Sequence, residues 1–141
     1  MILLDTNVIS EISSKKRPDT HVLSWFFKTS LTDMYISTIT LAELLYGIAL
    51  LPEGHRKDEL KSALSPLFTQ FQQRTLPFAT SATGYYAAMA ARRYHASRKV
   101  STPDLMIAAI AKSNRMQVAT RNVKDFEDTG VEIINPWEYE N

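Results

Sequence analysis

Cysteine is absent from this chain of 141 residues, which excludes disulfides, thiolate metal sites and a cysteine nucleophile. Histidine is scarce: His21, His55 and His95 are scattered and fall in no motif, which speaks against a zinc site or a histidine general base. Any metal must therefore bind through oxygen or histidine, with oxygen the abundant donor. No apolar run approaches the roughly 18 residues of a membrane span, and nothing resembles a secretory leader. A cytoplasmic protein without a membrane partner is the expectation. Neither sign of charge dominates, since 16 Lys and Arg face 15 Asp and Glu for a formal net charge of +1. That balance argues against a DNA-coating protein while leaving room for a local basic patch.

What remains is an ordinary globular composition, long enough for one domain over residues 1–141 with a core of its own. There is no internal repeat, low-complexity stretch or linker. The apolar run Ile2-Leu3-Leu4 reads as a strand buried in a parallel sheet. A short helix follows over Asn7 to Ser13, then a basic turn, Lys15-Lys16-Arg17-Pro18. Asp19 or Thr20 caps a second helix with Val22, Leu23, Trp25 and Phe26 as its apolar positions. Tyr35 to Ser37 forms the next strand, and Thr40 opens a helix carrying Leu44, Leu45, Ile48 and Leu51. Pro52-Glu53-Gly54 breaks it, and Lys57 to Phe71 is helical again, with Pro66 as a break or kink. After a short extended piece at Leu76 to Phe78, an alanine-rich helix spans Ser81 to Ser97 and offers Tyr85, Met89 and Tyr94 to the core. Thr102-Pro103-Asp104 starts the next helix, to Ser113, with Pro at its first turn behind a hydroxyl cap. Gln117 to Thr120 and Val131 to Ile134 complete the strands. Strands alternating with helices predict a three-layer α/β/α fold around a parallel, about five-stranded sheet.

Three acids, Asp5, Glu43 and Asp104, share a context: each sits just after a strand or at the start of a helix. Each has a plain structural reading. Asp5 is a favoured N-cap. Glu43 completes a capping box, Thr40-x-x-Glu43. Asp104 suits the positive end of its helix dipole. Asp125 fits an exposed loop. Taken jointly these readings weaken, because ligands of open α/β sheets gather outside the carboxyl ends of the strands. Asp104 is also redundant as a cap beside Ser101 and Thr102. Clustered carboxylates suit Mg²⁺ or Mn²⁺, hard cations held by oxygen. Such a site activates water and stabilises an in-line phosphoryl displacement.

The segments Leu4-Asp5-Thr6-Asn7-Val8-Ile9-Ser10-Glu11, Thr40-Leu41-Ala42-Glu43-Leu44 and Asp104-Leu105-Met106-Ile107-Ala108-Ala109 resemble three successive motifs of the PIN-domain ribonucleases. Ala119-Thr120-Arg121-Asn122, then Asp125-Phe126, and the ending Ile134-Asn135-Pro136-Trp137 match as well. Within that superfamily the chain is similar to the VapC/FitB-like toxins of bacterial toxin–antitoxin pairs, from Met1 to about Trp137. The resemblance implies a PIN-like fold and an Mg²⁺- or Mn²⁺-dependent endoribonuclease in which a metal-activated water cleaves RNA. It implies Asp5 and Asp104 as metal ligands, with Glu43 ligating or orienting metal-bound water. The fourth acid is Asp125 or is replaced by Asn122, and Thr6, Asn7, Thr120 and Asn122 support the site as polar neighbours. A cognate antitoxin that blocks the site and a homodimer are implied partners. The chain departs from the family pattern at Ala79, where relatives often carry Asp, and it lacks a glycine before Ser101.

Arg92, Arg93, Arg98 and Lys99, with Lys15, Lys16 and Arg17, read either as solvated helix faces or as holders of RNA phosphates. Tyr85, Tyr86 and Tyr94 read as core or dimer packing. A non-cleaving PIN-fold binding module, regulated by an antitoxin, is the rival from another class, and Asn122 is its support. An aspartyl-phosphate phosphatase fits poorly, because Asn7 stands where its second Asp is needed.

Overall fold

Successive residues of the first strand serve opposite faces of the sheet: Leu3 enters one hydrophobic cluster and Leu4 the other. Both are fully buried, as expected of a central parallel strand covered by helices on both sides. The computed structural model describes residues 1–141. Its five parallel strands are β1 (Ile2–Leu4), β2 (Met34–Ser37), β3 (Thr75–Leu76), β4 (Gln117–Ala119) and β5 (Ile133–Ile134), in the order β3-β2-β1-β4-β5. The helices are α1 (Thr6–Ser14), α2 (Thr20–Lys28), α3 (Thr38–Ala49), α4 (His55–Phe71), α5 (Thr80–His95), α6 (Thr102–Ser113) and a single turn, α7 (Val123–Phe126). One layer places Val8, Ile9, Trp25, Leu44, Ile48, Leu64 and Phe71 against the sheet. The other is built around α6, whose residues Ile107 to Ala111 are wholly buried, and α5 packs on it through Ala82 and Met89. The predicted three-layer architecture is the observed one.

Strand order reverses at β1: the chain adds β2 and β3 on one side, then β4 and β5 on the other. The carboxyl ends of β1 and β4, paired through Leu4 and Ala119, therefore flank the crevice where open α/β sheets bind ligands.

Several local expectations change. Ser37, not Thr40, caps α3, and its hydroxyl accepts the Thr40 N–H at 3.0 Å. The cap thus lies three residues earlier, and Glu43 forms no capping box. Pro66 lies inside an unbroken α4. Its missing N–H leaves that helix intact because tertiary packing through Leu64 and Phe71 anchors the flanking turns. Tyr85 and Tyr94 stay exposed, at 44% and 75%. Met89 and the partly buried Tyr86, edge-on to Phe78, supply the α5 contacts instead. The strands read to Thr120 and from Val131 are shorter, ending at Ala119 and starting at Ile133.

The departure at Ala79 has a structural counterpart. Ala79 occupies the N-cap of α5 with extended backbone, no side chain caps the helix, and its first turn holds no acid. A side-chain acceptor there would satisfy an orphan N–H. Ala79→Asp is expected to stabilise the protein by about 1 kcal/mol, read as a higher urea midpoint. An unchanged or lower midpoint would mean that solvent already serves those amides equally well.

Candidate active site

Asp5 leaves β1 into α1 and performs two tasks at once. As N-cap, its Oδ1 accepts the Thr6 N–H at 2.8 Å. Its Oδ2 accepts the Thr120 hydroxyl at 2.8 Å, from the end of β4, and the Asn7 amide at 3.4 Å. Thr120 Oγ1 in turn accepts the Asn7 Nδ2–H at 3.2 Å and the Asn122 N–H at 3.0 Å. Asn7 Oδ1 accepts the Arg121 N–H at 3.3 Å. The hydroxyl of Thr120 thus donates once and accepts twice, its full capacity. Through it the β4–α7 connection is tied to the β1–α1 turn, and the Asp5 carboxylate has one orientation.

Glu43, in the second turn of α3, is reached across the crevice by Thr6, whose hydroxyl donates to Oε1 at 2.8 Å. Thr6 and Thr40 hydroxyls lie 3.2 Å apart. A hydroxyl has one proton, so Thr6 donates to Glu43 and is free to accept from Thr40. Asp104 stands in the first turn of α6. Asp5, Glu43 and Asp104 line one open cavity of about 380 Å³, together with Thr6, Asn7 and Asn122. Asp125 lines a neighbouring depression with Asn122 and Asn135.

The acids act on one another. Burial pushes the Asp5 carboxyl up to about 6, the Thr120 and Thr6 hydrogen bonds work against that, and the charges of Asp104 and Glu43 add to it. Asp104 is also raised, first by burial and then by Asp125, with the Ser101 hydroxyl, Arg93 and Lys99 opposing. Repulsion therefore links Glu43, Asp5, Asp104 and Asp125 in a chain, although Asp125 faces the adjoining hollow. None of these four acids takes part in any of the ion pairs of the protein.

Two further residues belong to this region. Glu11 is 3% exposed yet lines the cavity. Burial would raise its carboxyl, but hydrogen bonds from Lys15 and the Asp19 N–H, and the charge of Lys15, hold it below the ordinary value, with a contribution from the Trp137 indole. The Lys15–Glu11 contact is 2.9 Å. Its i,i+4 spacing after a helical pattern was the signal for it. Arg93 is the second, and it corrects the basic patch. It is 3% exposed and binds the carbonyls of Asp125 and Glu127 and the Asp128 carboxylate. It clamps the loop after α7 and is not available to phosphates.

The residues fit a hard divalent cation by donor chemistry. Asp5, Glu43 and Asp104 bring carboxylate oxygens to the cavity without an ion-pair partner, and Asp5 is buried at the cost of a raised pKa. No three His, Asp or Glu side chains are arranged to hold an ion by themselves. Mg²⁺ takes one or two carboxylates and keeps several waters, a demand that acids on this cavity wall match in donor type and number.

A crevice at the strand reversal, lined by acids that follow β1, lie within α3 and open α6, is the arrangement of a PIN domain. The PIN domain family model matches residues 2–132, and the chain belongs to that family. It is 48% identical over 139 residues to the plasmid stability protein StbB of Pseudomonas syringae pv. tomato, covering 98% of this chain and 99% of the relative. It is 40% identical to the VapC ribonuclease Y4jK of Sinorhizobium fredii, with the same coverage. Toxin FitB of Neisseria gonorrhoeae is 38% identical over 141 residues, covering 97% of this chain and 99% of the relative. The crystal structure of FitAcB from Neisseria gonorrhoeae superposes with a TM-score of 0.90 at 38% identity, covering 98% of this chain and 99% of that one.

Proposed function

We propose that the protein is an Mg²⁺- or Mn²⁺-dependent endoribonuclease, the toxin of a toxin–antitoxin pair. The observation that carries the reading is the gathering of Asp5, Glu43 and Asp104, all without an ion-pair partner, on one cavity at the strand reversal. Relatives named as a ribonuclease and as a toxin support it. Asp5 and Asp104 would hold the cation. A divalent cation bound there lowers the pKa of water and neutralises charge that develops on a phosphodiester. Glu43, fixed by the Thr6 hydroxyl, orients water and accepts a proton from it. Thr120 and Asn7 keep the Asp5 carboxylate aimed at the cavity. Asp125 adds negative charge behind Asp104, strengthening its hold on a cation. The chain's own work is thus to position acids and orient water, and no protein nucleophile takes part.

The assembly we infer is a homodimer that binds a cognate antitoxin over this cavity, in the cytoplasm. Exposed Phe27, Leu45, Tyr46 and Leu50 supply apolar surface for such contacts, and no helix is long and apolar enough to cross a membrane. The rival binding module draws on Asn122, an uncharged residue on the cavity wall.

The test is cleavage of single-stranded RNA by wild type and Asp104→Asn, with and without chelator. Wild type is expected to cleave only with Mg²⁺ or Mn²⁺, and Asp104→Asn to lose more than about 100-fold in rate while keeping its fold. Equal cleavage by the two proteins would sink the proposal. Calorimetry separates the rival: a module without a metal site takes up no Mn²⁺ that Asp5→Asn abolishes.

A further inference from the structure

Among the side chains on the acid-lined cavity, Lys15 and Arg121 are the cations. Lys15 is engaged by Glu11 at 2.9 Å. Arg121 has no acid partner, and its side chain donates no hydrogen bond within the protein, although it shares one cavity with Asp5, Glu43 and Asp104 and lies four residues from Asp125 in sequence. Instead its guanidinium lies over the Trp137 ring, 5.3 Å from the centroid. Both halves of this stack are held in place. The Arg121 N–H is bonded to Asn7, and the Trp137 N–H to Asn135 Oδ1 at 3.0 Å, while the indole packs against the core. Arg121 also borders the hollow beside Asp125, so it sits on the ridge between the two depressions.

A guanidinium held over an indole by cation–π attraction spends no N–H donor on the contact, and its free fork matches a phosphate. Stacking also removes much of the rotamer freedom that ordering an arginine would otherwise cost. We propose that Arg121, held over Trp137, binds a backbone phosphate of single-stranded RNA, the one next to the phosphate cleaved at the acids. This rests on the ribonuclease reading. It assigns Arg121 to binding and positioning, since Arg121 sits on the ridge between the acid-lined cavity and the adjoining hollow and not among the acids themselves.

The experiment uses a single-stranded RNA oligonucleotide of mixed sequence. Cleavage is measured for wild type, Arg121→Ala and Arg121→Lys, and binding is measured against salt in the Asp104→Asn background with and without Arg121→Ala. Arg121→Ala is expected to raise KM about tenfold, as loss of one charge-assisted hydrogen-bonding group does, with a much smaller change in kcat. The slope of log affinity against log salt is expected to flatten by about 0.7, one phosphate contact on a single strand. Arg121→Lys keeps the slope and recovers only part of the affinity, because an ammonium neither stacks nor forks. Unchanged KM and slope in a wild type that cleaves overturns the inference and leaves the ribonuclease reading standing. So does weakened antitoxin binding with RNA binding intact. If wild type cleaves no RNA the ribonuclease reading falls, and an unchanged binding slope then overturns the Arg121 assignment on its own.

Discussion

Asp5→Asn is expected to be more stable than wild type in chelator at pH 7.5, by about 1–2 kcal/mol, while losing RNA cleavage. The Asp5 carboxyl is raised from 3.8 to about 6, chiefly by burial. A raised carboxylate pKa means that the folded state binds its proton more tightly than the unfolded chain. Between pH 4 and 6 the folded protein carries the extra proton, so stability falls as pH rises through that window. Above about pH 6 the whole penalty stands, on the order of 3 kcal/mol for a shift of this size. An amide cannot ionise and escapes it. Part of the gain is returned, because Asp5 Oδ2 accepts from both Thr120 and Asn7, and an NH₂ at that place faces a second donor. The capping role survives, since Asn and Asp are equivalent N-caps. The advantage of Asp5→Asn should therefore shrink as pH falls from 7 toward 4, and Mg²⁺ should stabilise wild type alone. Urea unfolding across that pH range checks it. A variant less stable than wild type at pH 7.5 in chelator would show that Asp5 hydrogen bonding outweighs its burial.

A stabilising loss of function of this kind is what a site carrying unneutralised charge produces. It also explains why Asp5 was readable in the sequence. Three apolar residues running into a carboxylate conflict with burial unless the acid has a task, and Asp5 has two, cap and candidate ligand. The sheet was legible for a related reason: Leu3-Leu4 and Val118-Ala119 are apolar at adjacent positions, which only a strand covered on both faces requires. Glu43 was legible as an acid in the right place but not in its bonding. The pattern Thr40-x-x-Glu43 suits a capping box, yet Ser37 starts the helix sooner. The partner of Glu43 is Thr6, distant in sequence. Tyr85 and Tyr94 looked available to the core because the alanine-rich α5 has weak amphipathicity. Only the packing against α6 selects Ala82 and Met89 as its inner face.

Arg93→Ala is expected to destabilise the protein by about 3–5 kcal/mol, the cost of breaking a buried charged network from one side. In sequence Arg92-Arg93 near the end of an exposed helix reads as a solvated face. In the fold the residues after α7 lay their carbonyls over Arg93, and it answers with Nη2 to Asp125 and Glu127 and with Nε and Nη2 to Asp128. Arg92 binds the Asp128 carbonyl at 2.7 Å and Arg98 its carboxylate at 3.0 Å. Asp128 itself has φ 65°, an uncommon backbone conformation for a non-glycine residue, so the loop depends on this clamp for its shape. Truncating Arg93 leaves two carbonyls without their donor, and of the contacts to Asp128 only Arg98 on its carboxylate and Arg92 on its carbonyl remain. Arg93→Lys restores charge but not the fork and should recover less than half of the loss. Asp128→Asn should cost less than Arg93→Ala, because the carbonyl contacts remain. The effect reaches the site, since Arg93 also binds the carbonyl of Asp125 on α7, whose charge raises Asp104, and α7 follows Asn122, whose N–H is bonded to Thr120. Urea unfolding gives the energies. Amide exchange over residues 122–129 should accelerate in Arg93→Ala more than exchange in β1 or α6. A loss below about 1 kcal/mol with no selective exchange would place Arg93 among ordinary surface arginines.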